Sequence, residues 1–449
     1  MRPARRSSLR RPSPEASSRE WALYEVRRAA EEGAYTNRLA DADELPPGMR
    51  RRTTELVQGA LRWRRYWDFV LERWARRPDR LEPAIRAMLW IALYELRFSR
   101  APAPVVVHAW VEIARRHRHE GAAALLNALL RRATREPVWP EPDTADPVQR
   151  LGIRYSYPDW IVSGWLQAYG LVRTEALLRW GNERPRYAVR LNPRRISSWE
   201  ELGLSKMDGE RIRPEPVSDL ERTFWVHALQ PLRGALQEGR LAVQDPAAAA
   251  VVRILDPRPG ERVLDLCAAP GGKTLLMAEY MRDQGQIWAL DAHPGRLEEL
   301  KQNVARHGTP IVRPIQADGR CWGAEEPFDR VLVDAPCTGL GVLAKRADLR
   351  WSRHPEDVPV LVALQRELLD NAARLVRPGG VLVYATCTLW PEENEAQVAA
   401  FLARHPDFEL ESASGRVPDA WVDASGYLYT FPPETGTDGM FAARLRRRS

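Results

Sequence analysis

The sequence predicts a multidomain chain in which an all-α N-terminal bundle and a small α+β region precede a C-terminal α/β domain of Rossmann type. Three observations carry that expectation. From Arg19 to about Arg135, apolar residues recur at three- and four-residue spacing. From about Leu241 the rhythm changes to short apolar runs alternating with amphipathic stretches, the pattern of a parallel sheet. Acids and cysteines then recur where those runs end, which is where open α/β sheets bind ligands. The 449 residues suffice for two or three domains.

In the N-terminal part, Trp21, Leu23, Val26 and Ala30 begin one apolar stripe, and Leu56, Val57, Ala60, Leu61, Trp67, Val70 and Leu71 form another within Thr53 to Trp74. Leu81 to Leu96, Val105 to Arg116 and Gly121 to Ala133 follow, punctuated by Pro46-Pro47, Pro78, Pro83, Pro102 and Pro104. Residues 1–18, rich in Arg, Ser and Pro, read as a disordered basic tail, 19–136 as the helical domain, and 137–154 as a Pro-rich linker.

Residues 155–239 are expected to mix helix and strand. Ile161 to Tyr169 has helical spacing, and Tyr187 to Asn192 alternates like a strand. Arg184, Arg186, Arg190, Arg194 and Arg195 crowd that strand, which fits either RNA contact or an edge strand carrying charged gatekeepers.

Within 240–449, Arg262 to Leu266 is a strand leading into a Gly-rich turn and a helix from Thr274 to Arg282. Gln286 to Asp291 is the next strand, and Ile311 to Gln316 runs up to Asp318. Phe328 to Val333 ends at Asp334-Ala335-Pro336-Cys337, and Val381 to Cys387 follows a helix from Val360 to Leu375.

The net charge of +7 is unevenly placed: Met1 to Glu136 holds 28 Arg and 17 acids, so the remainder is slightly acidic. That asymmetry points to an acidic partner such as nucleic acid, or to Arg decorating solvated helix faces. No run of ~18 apolar residues suggests a membrane span. The four cysteines, Cys267, Cys321, Cys337 and Cys387, form no C-x-x-C pair, so neither a disulfide scaffold nor a metal site is expected, and the cytoplasm is the expected compartment.

The turn Cys267-Ala268-Ala269-Pro270-Gly271-Gly272-Lys273-Thr274 ends like a phosphate-binding loop, but Cys267 stands where that loop needs its first glycine. A methionine-derived cofactor suits it better: paired glycines admit close backbone approach, and Asp291, about 20 residues on, can take both ribose hydroxyls. Asp318, at the third strand end, suits an adenine amino group. The cysteines point to covalent catalysis. Cytosine C5 is a poor nucleophile, and thiolate attack on C6 makes it an enamine carbon able to accept a methyl group. Loss of the C5 proton and expulsion of the thiol then need a second polar group. Cys337 and Cys387 both stand at strand ends where such a pair could act; Cys267 is expected to pack beneath the cofactor turn, and Cys321 to be incidental.

Val263 to Thr274, Asp334 to Gly339, Tyr384 to Thr388, Pro391 to Glu395 and Gly436 to Leu445 closely resemble the motifs of the Sun-type (RsmB-like) 16S ribosomal RNA cytosine-C5 methyltransferases. Glu55 to Arg62, Leu89 to Leu96 and Leu126 to Arg132 resemble the NusB-type RNA-binding domain that precedes such enzymes. The resemblance implies a class I methyltransferase fold, S-adenosyl-L-methionine as cofactor and 16S ribosomal RNA as partner. It implies Cys387 as nucleophile and Cys337 as the thiol that assists product release. Cys267, Ala268, Ala269, Pro270, Gly271, Gly272, Lys273, Asp291, Asp318 and Asp334 would line the cofactor site, with Asp334 also near the target base. Leu343 to Asp348 departs from the family's Arg-rich, Pro-Asp pattern. The alternatives are a tRNA cytosine-C5 methyltransferase and a non-catalytic RNA-binding or antitermination factor.

Overall fold

A computed structural model of the chain describes residues 11–13, 15–32, 45–117, 120–218, 220 and 222–449, so most of the expected tail at 1–18 lies outside the described residues. The chain forms two compact units: Met1–Glu183 with Leu343–Arg353, and Arg184–Val342 with His354–Ser449.

The first unit is all-α. Its helices span Ser18–Glu32, Pro47–Arg62, Arg64–Trp74, Pro83–Phe98, Ala103–Arg116, Glu120–Arg135, Pro147–Tyr155 and Asp159–Trp180. Proline opens three of them, at 47, 83 and 147, where its fixed φ is preorganised and its missing N–H is no loss. The apolar stripe from Thr53 to Trp74 is two helices, not one, because Trp63 leaves helical geometry at φ −103°, ψ 11°. Trp67, Leu89, Ile91, Trp110 and Leu126 form part of the buried core. Inside it Glu95, fully buried, accepts from Arg19 Nε (2.9 Å), Arg52 Nη2 (2.6 Å) and Trp110 Nε1 (3.0 Å). Burial alone would raise its pKa, but these donors outweigh burial and hold the carboxyl below its ordinary value.

The Pro-rich stretch after Arg135 is extended but anchored. Trp139 packs against Trp67 and Trp74 at ring distances of 5.8 and 5.4 Å, and Tyr66 donates to the Pro140 carbonyl (3.1 Å). The following two helices therefore belong to the helical unit, which runs on to Glu183.

Leu343–Arg353 comes from the α/β half of the sequence yet folds within this unit. Arg350 is fully buried there, donating to Asn182 Oδ1 (2.9 Å), Gly181 O (3.0 Å) and Ser156 O (3.2 Å), with its guanidinium 3.8 Å from the Tyr157 ring centroid. Burial lowers its pKa to about 10, still high enough to keep the charge. Carbonyl dipoles and a π face solvate it in place of water.

The second unit holds two sheets. The smaller has β1 (Tyr187–Leu191), β2 (Glu215–Pro216), β3 (Thr223–Val226) and β4 (Leu241–Val243) in the order β2-β3-β1-β4, all antiparallel. The gatekeeper reading of the arginine-rich strand is thus corrected, because β1 is central and its edges are already paired. Arg190 is buried, donating to Gln244 Oε1 (3.0 Å) and pairing with Glu279. Arg194 grips Asp283, with Nη2 2.7 Å from Oδ1.

The larger sheet contains β5 (Arg262–Asp265), β6 (Gln286–Asp291), β7 (Val312–Gln316), β8 (Phe328–Asp334), β9 (Val376–Thr386), β10 (Phe408–Glu411), β11 (Leu428–Tyr429) and β12 (Phe441–Arg447). The order is β10-β12-β9-β8-β5-β6-β7, with β11 paired to β12, and the five strands from β9 to β7 are parallel. Alternation along the strands divides the core into two layers. Val263, Ile287, Leu332 and Val383 face helices Pro246–Leu255, Gly272–Tyr280 and Pro294–His307. Leu264, Leu290, Val331 and Leu382 face helices Asp357–Leu375 and Glu395–Arg404. The chain proceeds from β5 to β6 on one side and returns to β8 on the other. That reversal is a topological switch point, where the loops after β5 and β8 diverge and leave a crevice.

Candidate active site

The crevice is bordered by the carboxyl ends of β5, β6, β8 and β9. Asp265 ends β5 and accepts from Thr274 Oγ1 (2.7 Å), while its Oδ1 is buried without a hydrogen-bond partner. Burial is the main reason its pKa rises to about 7. The chain then turns through Cys267 to Gly271 into the helix Gly272–Tyr280. Gly271 has φ 108°, and a Cβ there would meet Leu300 Cδ1 at 2.6 Å, so only glycine suits the turn.

Ala268 and Ala269 are buried at this turn, and Asn303 Nδ2 holds the Pro270 carbonyl (2.7 Å). Cys267 is half-buried and packs against the core layer under the sheet. Its thiol is pushed up by burial, then by Asp265, Asp334 and Asp291. Three carboxylates therefore converge on one backbone turn. Asp291, at the end of β6, caps the His293 N–H (2.9 Å). Asp318 stands apart from them: it is clasped by Arg320, with Nη2 2.6 Å from Oδ2, and sits more exposed.

Lys273 lies 2.7 Å from Asp334 Oδ2 at the end of β8. Its amine is thus committed to a carboxylate, which agrees with the missing glycine in arguing against a phosphate cradle. Burial lowers its pKa and the Asp334 carboxylate more than restores it, leaving a firmly cationic ammonium.

Cys337 and Cys387 meet with sulfurs 3.4 Å apart. They follow neighbouring parallel strands, β8 and β9, so sheet register brings them together across 50 residues. Cys321, by contrast, is exposed and lies near the Asp318 carbonyl. Two close approaches fix the cysteine loops. Gly341 N–H donates to the Cys387 carbonyl (2.9 Å), and Gly439 N–H to the Gly341 carbonyl (2.9 Å). A Cβ on Gly341 would strike both neighbouring carbonyls.

Beneath the thiols lies a network that sequence reasoning did not find. Glu393, fully buried, accepts from Thr338 N–H (2.9 Å), Thr338 Oγ1 (2.5 Å) and Gln365 Nε2 (2.9 Å), and its carbonyl accepts from Tyr384 Oη (2.6 Å). Gln365 also holds the Pro336 carbonyl (2.9 Å), and Thr338 Oγ1 meets Thr388 Oγ1 (2.8 Å). One carboxylate thereby ties the residue after each cysteine to the same anchor. The sequence offered only the Pro391–Glu395 run as a signal, and an acid beside another acid reads as solvated.

The two thiols are coupled through one contact and sit in unequal sites. Either thiol could donate across it; with Cys387 ionised, the hydrogen bond from the Cys337 S–H is the largest influence lowering the Cys387 pKa, while burial and Asp334 oppose it and Lys273 assists. Cys337 is raised above its ordinary value, first by that same hydrogen bond and then by burial. Cys387 is therefore the sulfur that ionises first. Because its pKa is lowered, its reactivity is present above the midpoint and lost as pH falls through it. Alkylation of Cys387 by iodoacetamide, followed by peptide mass spectrometry, is expected to show a midpoint below the ordinary 9.0. Cys337→Ala removes the donor and should move that midpoint upward; an unmoved midpoint would contradict the pairing.

A family model for 16S rRNA methyltransferase RsmB/F matches residues 252–446, and a NusB family model matches 17–135. A curated relative from Bacillus subtilis (strain 168), named probable ribosomal RNA small subunit methyltransferase B, is 33% identical over 96% of this chain and 99% of its own. This chain belongs to the RsmB/F family of 16S rRNA methyltransferases. A relative of the same name from Synechocystis (strain PCC 6803) is 36% identical over 96% of this chain and 99% of its own. The solved structure of PH0851 superposes with a TM-score of 0.77 at 27% identity, covering 98% of this chain and all of that one. Family membership makes the chain an RNA methyltransferase and agrees with the NusB-like bundle and Rossmann-type domain. Among the described residues no helix is long and apolar enough to cross a membrane, and no group of three His, Cys, Asp or Glu side chains is arranged to hold a metal ion.

Proposed function

We propose that this enzyme methylates C5 of a cytosine in 16S ribosomal RNA through a transient bond between Cys387 and ring carbon C6. The observation that carries the reading is the pair of sulfurs 3.4 Å apart, one ionising before the other, at the carboxyl edge of the sheet.

The crevice fits S-adenosyl-L-methionine on its own chemistry. Asp265 leaves a buried oxygen unpartnered, and Asp265, Asp291 and Asp334 all act on the Cys267 turn. Such a field favours a ligand bearing a sulfonium and an ammonium. Bound there, S-adenosyl-L-methionine supplies an electrophilic methyl group. Residues 267–273 would hold its amino-acid end and Asp291 its ribose; Asp318 is the outermost of the expected contacts, and Arg320 would have to share it with adenine.

The chain's residues then divide the work. Cys387 adds as thiolate to C6, and C5 becomes nucleophilic. In the adduct the Cys387 sulfur is a neutral thioether, so the charge that kept Cys337 protonated is gone. Once C5 has taken the methyl group, leaving S-adenosylhomocysteine, Cys337, its own proton given up to solvent, can take the C5 proton, after which Cys387 leaves as thiolate and the C5–C6 double bond is restored. Asp334, held by Lys273, faces the same crevice and is suited to orient the base. The base must first leave its stack to reach the sulfurs. A ribosomal RNA substrate is consistent with action in the cytoplasm.

Transfer of labelled methyl groups to purified 16S rRNA but not to tRNA, with bisulfite mapping of the product, tests the reading. Transfer to tRNA alone would replace it with the tRNA enzyme, and binding without transfer would replace it with a non-catalytic factor.

A further inference from the structure

A groove lies at the opposite end of the helix Gly272–Tyr280 from the cofactor turn, about 12 Å along its axis at 1.5 Å per residue. Its main cavity, of about 730 Å³, is lined by Arg190, Arg194, Arg222, Arg253 and Arg282 together with Glu279 and Asp283. A second cavity of about 510 Å³ shares Arg253 and Tyr280 with the first and extends the lining to Asp256 and Arg416. None of these residues belongs to the cysteine pair or the cofactor turn.

Six arginines thus face three carboxylates along one continuous track. The carboxylates are already paired: Glu279 with Arg190 and Arg194, Asp283 with Arg194, and Asp256, at the surface, with Arg258. Arg190, 3% exposed, backs the cavity from within, where it is committed to Gln244 and Glu279. At the junction of the two cavities stands Tyr280, its side chain 39% exposed. Two residues beyond it, after Met281, Arg282 and Asp283 are both left-handed, at φ 51° and 55°, a strained turn that follows the helix end at the rim.

An open, elongated track of fixed positive charge with an exposed aromatic ring at its waist matches a single-stranded polynucleotide. Arginines follow the phosphates, and a ring accepts an unstacked base of any identity. A small anion would call for an enclosed pocket. We propose that this groove holds ribose-phosphate backbone of the RNA substrate away from the nucleotides at the cysteine pair, with one base stacked on Tyr280. The inference rests on the chain's being an RNA methyltransferase and not on the roles given to the two cysteines.

The test uses the full chain and in vitro transcribed 16S rRNA, with affinity measured against potassium chloride concentration. The Arg222→Glu, Arg253→Glu, Arg282→Glu variant is expected to bind at least about tenfold more weakly. The slope of log affinity against log salt should fall by about 2, since each lost phosphate contact removes roughly 0.7 to 0.9. Tyr280→Ala should weaken binding about tenfold with the slope unchanged, because stacking releases no counterions. Equilibrium dialysis with labelled S-adenosyl-L-methionine checks that each variant is folded. If the charge reversals lose cofactor binding, the corresponding triple Arg→Gln variant is read in their place, with the same change of slope expected. Unchanged affinity and slope in a folded variant would overturn the proposal while leaving methyl transfer intact. Weakened binding to partly assembled subunits but not to naked rRNA would also overturn it, and would assign the groove to a protein. Failure of the unmodified enzyme to methylate any RNA would instead sink the functional reading.

Discussion

Cys387→Ala is expected to abolish methyl transfer, by at least about 10⁴-fold, and to form no protein–RNA adduct that survives denaturation. Cys337, although its sulfur is only 3.4 Å away, ends a different strand and is assigned the later proton transfer, and Cys321 is exposed elsewhere, so neither is placed to take over addition at C6. Removing a nucleophile eliminates the covalent route and leaves only positioning. Cys337→Ala should behave in the opposite way. Addition at C6 and methylation at C5 can still proceed, but the C5 proton has no thiolate to take it, so the adduct accumulates. A denaturing gel with labelled 16S rRNA distinguishes the variants: a retarded band for Cys337→Ala and none for Cys387→Ala. Equal behaviour would remove the division of roles.

Glu393→Ala is expected to cost the α/β unit about 3 kcal/mol, because Thr338 N–H loses its acceptor and Thr338 Oγ1 and Gln365 Nε2 each lose one. For a unit of this size that corresponds to a fall in Tm of roughly 10 °C. Single-turnover methylation should fall about 100-fold below the unfolding range, because the two cysteine loops lose the anchor that fixes their separation and a 1 Å misplacement has about that effect. Glu393→Gln, which keeps one acceptor oxygen, should lie between the two. A thermal scan in which Glu393→Ala unfolds within 2 °C or so of the parent would show that Glu393 is not the anchor.

The sheet was legible because each parallel strand is short, apolar and ended by a turn, and Asp291, Asp334 and Cys387, singled out from the sequence, sit at or just past strand ends, whereas Asp265 at the end of β5 was not singled out. What escaped depends on partners far along the chain. Glu393 is a surface acid until Thr338 and Gln365, 55 and 28 residues away, are brought to it. The central place of β1 follows from its pairing with β3 and β4, short strands whose periodicity is weak. Arg350 reads as a solvated helix residue; carbonyls from residues 156 and 181, the Asn182 side chain and the Tyr157 ring together make its burial tolerable. The arginines of the N-terminal bundle tell the same story in part. Arg19 and Arg52 serve a buried carboxylate, so net charge overstates what is offered to RNA.

The chemistry stands on which sulfur carries the pyrimidine. Proteolysis of the Cys337→Ala adduct after nuclease digestion, with mass spectrometry of the nucleotide-bearing peptide, locates that bond. The mass of a methylated cytidine nucleotide on the peptide containing residue 387 is the predicted result. The same mass on any other peptide, or an adduct carrying no methyl group, would contradict it.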